Sequence, residues 1–465
     1  MFKIIASIFL STLFFIGIQS KANAQYRISQ IEIEGNAKTK AYIILRELPY
    51  QVGSIVIKDS LSLYNTLAKE QLINTSLFND VNITTSIMDS TSVKIKINLS
   101  ERWYFFPLPY FRWVDRNFSE WWNEQHHSLD RVNYGINLRQ SNATGNNDRL
   151  TLGLITGYTH QAVVKYQFPF IDKKLRFGMG LGWQYFTQKE LNTATNFDKQ
   201  VFTKTIGDIQ TGHRTNVNFF YRPNLFERLT VQLGYGNSTI SDSALLVQPN
   251  YFPNHNKSFS YGDVGVNFSK TKFDYNAYPT QGNSIDFGIF QRFSNGANLS
   301  SFSLREVYAH RINRNNFYLI ESSSVGKLMT NQNYLDSRLM GYGNMQMSGL
   351  EYYIIDGNAG TIAKAEWHHL LGSYTLPKKT GFALADKINK HLPDIKYRFW
   401  IKAFTNLGYA YSEHPVNNSK LSNTLLRTAG VGLDIISVYD LVIKIDYSVN
   451  QLGDKGVYLH GGINF

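Results

Sequence analysis

The chain has 465 residues, a formal net charge of +12 and no cysteine. The lack of cysteine excludes a disulfide framework, a thiolate metal site and a thiol nucleophile. The lysines and arginines are scattered, without the dense basic run typical of nucleic-acid-binding proteins, so we expect no nucleic-acid partner. Their excess could still attract anionic lipid headgroups or an acidic protein.

The amino terminus has the pattern of a cleavable export signal. Lys3 precedes an apolar stretch from Ile4 to Ile18, and Ala22-Asn23-Ala24 is the small-x-small pattern that signal peptidase cleaves. We therefore expect a signal peptide over residues 1–24 and a mature chain that begins at Gln25. An uncleaved anchor is the alternative, but the apolar run is shorter than the roughly 20 residues that a helix needs to span hydrocarbon.

No second long apolar run follows, which excludes a bundle of membrane-spanning helices. Strands of a membrane barrel need only about ten alternating residues, so a mean hydropathy of −0.27 is no argument against a membrane protein. Export leaves about 440 residues, too many for one small domain. A small domain followed by a large barrel fits this length.

Residues 25–101 predict a small α+β domain in the order β-α-α-β-β, because period-two and helical apolar patterns alternate between turn residues. The pattern consists of Ile31 and Ile33 before the turn Gly35-Asn36, a helix from Thr39 to near Pro49, a helical face of Tyr64, Leu67, Ala68 and Leu72, a strand from Asp80 to Thr85, and the alternating Val93, Ile95, Ile97 and Leu99.

This order, with Gly35-Asn36 after the first strand and Ser76-Leu77-Phe78-Asn79-Asp80-Val81 leading into the second, resembles a POTRA domain. POTRA domains are the periplasmic modules of the BamA/TamA outer-membrane assembly superfamily. The resemblance implies a periplasmic domain that binds accessory subunits or client proteins through exposed strand edges. A generic small α+β domain is the alternative, because β-α-α-β-β alone is common.

Residues 102–465 predict a mainly β structure, a transmembrane barrel. In one segment Phe177, Met179, Leu181, Trp183 and Tyr185 share a strand face opposite small or polar residues. Lipid favours apolar side chains outside, and a wet lumen accepts glycine and polar residues. A soluble sandwich would show the same period, but the export signal and the 14% aromatic content favour the barrel.

Counting the alternating segments gives sixteen strands, an even number, as a closed bacterial barrel with both termini in the periplasm requires. They lie near 103–114, 131–141, 149–158, 161–170, 174–186, 213–222, 227–238, 258–270, 283–292, 299–313, 316–328, 361–371, 396–411, 425–436, 441–449 and 456–465. The connections 171–173 and 438–440 are tight. The connections 187–212, 239–257 and 329–360 are long, and we expect these to face outside.

Features of the carboxy-terminal half extend the resemblance. These are the Pro-x-x-Gly turn within Asp274 to Gly282, the block Ala429 to Asp434 followed by Leu441 to Tyr447, and a last strand with Val457, Leu459, Ile463 and the terminal Phe465 on one face. The final aromatic strand resembles the signal by which outer-membrane barrels are recognised. The resemblance implies a cell outer membrane of the Gram-negative type.

The long segment 329–360 stands where the superfamily places a loop that enters the lumen. Its tip normally reads Arg-Gly-Phe or Arg-Gly-Tyr and here reads Met347-Ser348-Gly349-Leu350. The family's aspartate partner on a later strand is Asn406 here, so both charges are missing together. Replacing both members of a buried ion pair can be nearly neutral. The resemblance also implies that Glu366 faces this loop, although residues 347–350 could instead be an ordinary surface turn.

The first and last barrel strands would form a seam. The first strand holds Phe105, Pro107 and Pro109, and proline cannot donate a ladder hydrogen bond. The last strand holds Leu459 and the pair Gly461-Gly462. In the superfamily this seam opens sideways and lends its edge to a client strand. The prolines could equally mark the entry from the periplasmic linker.

The sequence contains no recognisable catalytic motif, and we expect no enzyme activity, cofactor or metal site. The adjacent pairs His126-His127 and His368-His369 are the histidine pairs worth considering as ligands, but neighbours on a strand point to opposite faces. We therefore expect a barrel that assembles or inserts outer-membrane proteins. A passive channel would not need a partner-binding domain, and dedicated secretion pores of the superfamily normally carry two POTRA domains, whereas this sequence shows one.

Overall fold

The computed structural model describes residues 24–115, 118, 120–204, 207–331, 334–376, 395–416 and 418–463. Residues 1–23 of the predicted signal peptide and the terminal Phe465 lie outside these ranges. In the part of the chain that is described, no helix combines the length and the apolar character needed to cross a membrane.

The amino-terminal domain is a four-stranded sheet covered by two helices. Its elements are β1 (Gln25–Glu34), α1 (Ala41–Arg46), β2 (Ile55–Ile57), α2 (Leu61–Asn74), β3 (Phe78–Ile87) and β4 (Ser92–Glu101). The sheet order is β2-β1-β4-β3, with β1 parallel to β4 and the other pairs antiparallel. The predicted order was right except that it lacked β2, whose three residues are too short for a periodic pattern.

The core of this domain lies between the sheet and the helices. Ile28, Ile44, Ala68, Leu72 and Ile95 are completely buried. The opposite face of the sheet is polar, and Lys94 pairs with Glu32 across neighbouring strands at 2.9 Å.

In the described part of residues 102–463, sixteen strands form one antiparallel sheet and pair in sequence order. They are β5 (Phe105–Trp113), β6 (Val132–Ser141), β7 (Arg149–Gly157), β8 (Thr159–Phe168), β9 (Phe177–Gln188), β12 (Gln210–Tyr221), β13 (Glu227–Ile240), β14 (Ser258–Phe273), β15 (Gly282–Ser294), β16 (Leu299–Asn313), β17 (Asn316–Met329), β20 (Ala359–Thr375), β21 (Lys396–Tyr411), β22 (Leu425–Ile436), β23 (Leu441–Asn450) and β24 (Lys455–Ile463).

The predicted fold class, strand number and alternation are confirmed. On β13, Leu233 is 45% exposed on the outer surface, whereas its neighbour Gly234 faces inward against Asp263 of β14. The tight connections 171–173 and 438–440 lie at one end of the barrel, next to the amino-terminal domain, and the long connections 187–212, 239–257 and 329–360 lie at the other. We call these the domain end and the loop end.

The long connections hold structure that the sequence pattern did not predict. They contain β10 (Glu190–Asn196), β11 (Lys199–Lys204), α3 (Asp242–Val247), α4 (Tyr334–Ser337), β18 (Arg338–Met340) and β19 (Ile355–Asp356), besides short helical turns at Glu120–Glu124, Leu129–Arg131 and Pro253–His255. A further helical turn, Lys58–Ser60, precedes α2 in the amino-terminal domain. The hairpin β10–β11 was interpreted as loop because its residues are mostly polar, but it pairs over its whole length.

Candidate functional site: the barrel lumen, its two ends and its seam

The segment 338–358, which we call the inner loop, lies inside the barrel against the last strands. Asn450 of β23 donates a hydrogen bond to the carbonyl of Gly349 at 2.9 Å. Asn406 of β21 donates to the carbonyl of Ser348 at 3.4 Å and to the Thr428 hydroxyl of β22 at 2.9 Å. The structure thus brings Ser348 and Asn406 together, with the Ser348 backbone rather than its side chain as the partner.

The tip of the inner loop is packed tightly against the wall. Gly349 has a φ of +94°, and a Cβ there would come within 3.2 Å of Thr428 and Ser448 side-chain atoms. Met347 and Leu350 on either side are buried in an apolar cluster with strand residues. Glycine is therefore required at this position both by backbone conformation and by the close approach of β22 and β23.

A cavity of about 280 Å³ separates the inner loop from the facing strands. Glu366 of β20 lines it together with Met347, Lys402 and His460. Glu351 of the inner loop lies across this space, 3.2 Å from His460. Glu366 thus faces the same cavity as the inner loop, and its carboxylate is hydrogen-bonded to His368 at 3.0 Å.

A buried ionic network continues from Glu366 toward the domain end. The Lys402 ammonium lies 3.1 Å from Asp434 and 2.9 Å from Asp446, with all three side chains nearly inaccessible to solvent. Tyr278, from the turn before β15, donates to Asp434 at 3.0 Å and contacts the ring nitrogen of His368 at 2.9 Å. Such a network fixes the relative positions of β20, β21, β22 and the turn.

Apart from Glu366, the sequence pattern did not predict the members of this network. His368 points into the lumen and His369 pairs with Asn316 instead, as expected for neighbours on a strand. Lys402, Asp434 and Asp446 were detectable as charges at inward positions of apolar strands, but their pairing depends on the register of three strands. His126 and His127 both have positive φ values, in the connection before β6.

The amino-terminal domain is fixed to the domain end of the barrel by two ion pairs. Arg102, just after β4, contacts Asp440 in the turn before β23 at 2.8 and 3.1 Å. Glu47, just after α1, accepts two hydrogen bonds from Arg222 in the turn after β12, at 2.6 and 2.7 Å. The two turns belong to strands on opposite sides of the barrel, so the domain spans its opening.

The Asp440 carboxylate accepts two further hydrogen bonds. Ser76 and Tyr275 donate to it at 2.9 and 2.5 Å. Burial raises the pKa of Tyr275, and the Asp440 carboxylate raises it further, so the tyrosine keeps its proton. Asp440 thus connects the amino-terminal domain, the linker residue Arg102 and the turn before β15.

The hairpin β10–β11, which we call the lid hairpin, crosses the loop end. Asn192 accepts a hydrogen bond from Tyr334 at 2.6 Å, and Thr193 accepts one from Gln248 at 3.0 Å. At its tip, Asp198 accepts from the backbone nitrogen of Lys420 at 2.8 Å. The partners lie in connections that start from widely separated strands, so the lid hairpin covers the mouth.

The seam lies between β5 and β24, the two end strands of the sheet. Among the described residues, β5 pairs with β6 alone and β24 pairs with β23 alone. On β5, Phe105, Pro107 and Pro109 face outward. On β24, Leu459 and Gly461 face outward, and Gly462 is paired with Val442 of β23. The side chains of Ile463 and Phe465 lie outside the described residues, whereas Val457 is exposed on the outer surface.

The two prolines occupy particular positions in the β5 ladder. Pro107 is opposite Leu138 and Pro109 opposite Ile136, within a register that is unbroken from Phe105 to Trp113. Alternate residues of an antiparallel strand donate to the same neighbour, and proline has no donor. The proline nitrogens therefore face the seam, where β5 lacks two successive N–H groups.

Comparisons with known proteins agree with this architecture. Residues 26–102 match the family model for POTRA, described as a surface antigen variable number repeat. The structure of BamA from Haemophilus ducreyi lacking POTRA domains 1–3 matches with 14% identity and a TM-score of 0.51, over 94% of this chain and 84% of that one.

Two structures of CdiB also match. The protein from Escherichia coli has 13% identity and a TM-score of 0.53, over 95% of this chain and 76% of that one. The protein from Acinetobacter baumannii has 14% identity and a TM-score of 0.50, over 94% and 73%. No curated protein matches by sequence. Residues 26–102 therefore form a POTRA domain, and the chain has the fold of outer-membrane β-barrels of the BamA and CdiB type.

Proposed function

We propose that this protein assembles or inserts other outer-membrane proteins, without catalysing a chemical reaction, by lending the edges of β5 and β24 to a client strand. The observation that carries the proposal is the position of β5 and β24 as the two end strands of the sheet, each in a ladder with one neighbouring strand among the described residues. An open edge presents backbone groups to a further strand, which is the basis of strand addition.

The prolines support an edge that opens easily. Because Pro107 and Pro109 remove two donors from the seam side of β5, few hydrogen bonds could close it against β24. Gly461 and Gly462 on β24 add little side-chain packing across the gap. Few contacts could therefore close the seam, whereas the other neighbouring strands of the sheet are paired along most of their length.

The segments that fill and cover the lumen favour insertion of a client at the barrel wall over passage of a client through the lumen. The inner loop occupies the space beside β21 to β23, the lid hairpin covers the loop end, and the POTRA domain covers the domain end. A secretion pore or passive channel would require the inner loop and the lid hairpin to leave these positions together.

A disulfide scan across the seam tests the proposal. The strands run antiparallel, and Phe105, Pro107, Pro109 and Phe111 share the outward face with Leu459. Each of the four would be changed to cysteine together with Leu459→Cys, with no native cysteine to interfere. The pair that oxidises best defines the closed register.

The oxidised protein would then be reconstituted in vesicles with an unfolded outer-membrane barrel as client. We expect client insertion, followed as a heat-modifiable gel shift, to stop when the seam is locked and to return on reduction. The matched control is Ile289→Cys with Phe302→Cys, which face each other on the already paired β15 and β16. Insertion at full rate through a locked seam would exclude the proposal and favour a lumenal pore.

A further inference from the structure

Arg149 at the start of β7 and Arg228 near the start of β13 both face the lumen at the domain end. Their inward direction follows from the strand alternation, since Leu152 and Leu233 of the opposite parity are exposed on the outer surface. Three strands separate β7 from β13 in the sheet. Both strands nevertheless start at the domain end, where the two arginines border neighbouring cavities.

Neither arginine has a carboxylate partner among the residues that the structure describes. Arg222 provides the contrast, because its charge is neutralised by the bidentate contact with Glu47. Arg228 lies over the ring of Phe220 instead, 4.1 Å from the centroid. Glu47 and Glu227 also line the cavity described next, but they are already paired with Arg222 and Lys270. The exposed guanidinium of Arg228 is therefore available to an acidic ligand.

Arg228 lines a cavity of about 320 Å³ between the POTRA domain and the barrel wall. Its other walls combine the aromatic side chains of Phe170 and Phe226 with the amide of Gln71 from α2. Gln71 is only 7% exposed, and its side-chain amide makes no hydrogen bond to another described residue. Arg149 lies next to this space, beside Thr75 and Asn147, which also line the cavity.

We infer that this cavity binds a short acidic segment of an unfolded polypeptide. Guanidinium groups match carboxylates through paired hydrogen bonds, an amide side chain both donates to and accepts from a peptide group, and aromatic walls accept apolar side chains. A free phosphate ion would use the arginines and leave the amide acceptor and the aromatic walls without a role. The inference rests on the proposed function, because it assigns the client segment to a place between the POTRA domain and the lumen.

The test is peptide binding to the full mature protein in detergent micelles. The probe is a fluorescein-labelled peptide of sequence Leu-Asp-Phe-Asp-Leu, compared with the same peptide carrying asparagine in place of aspartate. We expect the acidic peptide to bind more tightly. We expect Arg149→Gln and Arg228→Gln each to weaken its binding about tenfold, as for the loss of one charge-assisted hydrogen bond.

The matched control is Arg314→Gln, in the exposed turn between β16 and β17, which should leave binding unchanged. Arg149→Lys and Arg228→Lys keep the charge and should retain part of the affinity, and each variant is checked for heat-modifiable gel mobility to show that the barrel has folded. Equal binding of the two peptides, or no effect of either glutamine variant, would overturn the inference. Inorganic phosphate that binds as tightly as the acidic peptide would also overturn it, by assigning the arginines to a free anion.

The seam-locked protein separates this inference from the proposed function. We expect it to bind the acidic peptide normally, because the cavity lies at β7 to β14 and the crosslinked side chains of β5 and β24 face the outer surface. Peptide binding without client insertion in the unlocked protein would contradict the proposed function alone.

Discussion

Arg102 and Asp440 form a buried bidentate ion pair, with N–O distances of 2.8 and 3.1 Å, between the end of the POTRA domain and the turn before β23. Their side chains are 8% and 5% exposed. The two residues are far apart in sequence, and the pair sets the orientation of the domain over the barrel.

We expect Asp440→Asn to lower the free energy of unfolding by about 3–5 kcal/mol, because it leaves the Arg102 charge buried without its partner. Urea unfolding in lipid vesicles measures this. The control is Asp242→Asn, which removes an exposed carboxylate 2.8 Å from Lys257 and should cost less than about 1 kcal/mol. Equal costs for the two variants would mean that the Arg102–Asp440 pair is solvated.

The contact between the inner loop and β21 predicts coupling between Ser348 and Asn406. Asn406→Asp alone would direct a carboxylate at the carbonyl of Ser348, and Ser348→Arg alone would place an unpaired cation in the lumen. We expect the double mutant to be less destabilised than the sum of the single mutants, with a coupling of about 0.5–3 kcal/mol.

A double-mutant cycle on urea unfolding, repeated at high salt, measures this coupling. Salt should reduce it if the lumen is wet, since exposed pairs contribute only a few tenths of a kcal/mol. Strict additivity at both salt levels would show that the two side chains do not meet.

Tyr104, in the linker before β5, should make the free energy of unfolding depend on pH in the alkaline range. Burial raises its pKa to about 12 from the ordinary value of 10.0. Its hydroxyl donates to the carbonyl of Leu77 at 3.1 Å and lies 3.0 Å from the Thr39 hydroxyl. The folded state therefore holds the phenol proton more tightly than the unfolded state, and this contribution to stability is complete below pH 10.

We expect the contribution to disappear as the pH rises from 10 toward 12, with a slope of up to about 1.4 kcal/mol per pH unit. The Tyr104→Phe variant lacks the titrating group, so its free energy of unfolding should fall less steeply as the pH rises through this range. The difference in unfolding free energy between the native protein and the variant should therefore become smaller. Parallel curves for the two proteins would show that the Tyr104 phenol titrates normally.

Because the lid hairpin covers the loop end, we predict that releasing its tip changes the ion conductance of the barrel. Asp198 is 3% exposed and holds the hairpin tip to the connection between β21 and β22 through Ser419 and Lys420. We expect Asp198→Ala to increase the frequency of open events in planar bilayers, because the tip loses the hydrogen bonds that its carboxylate accepts. Asp208→Ala, an exposed residue after the hairpin, is the control, and identical conductance in all three proteins would show that the hairpin does not close the mouth.

The sequence predicted the architecture because each barrel strand carries its own signal. Alternation places Leu229, Val231, Leu233 and Tyr235 outside and the residues between them inside. This pattern depends only on the two-residue period of an extended chain that has lipid on one face. Turn residues such as Asp172 and Asp440 then separate the strands, so that their number and bounds could be derived without knowing which strands meet.

The polar contacts could not be derived in this way, because they depend on which strands come together. Lys402 meets Asp434 and Asp446 through the register of three strands, and Asn406 meets the inner loop through the path of a long connection. The lid hairpin was missed because its stability comes from contacts with other connections rather than from an apolar face of its own. Sequence alone determined the barrel and its POTRA domain, whereas the closing of the lumen and the docking of the domain were decided by tertiary structure, since ion pairs and hydrogen bonds between distant residues leave no local periodic pattern.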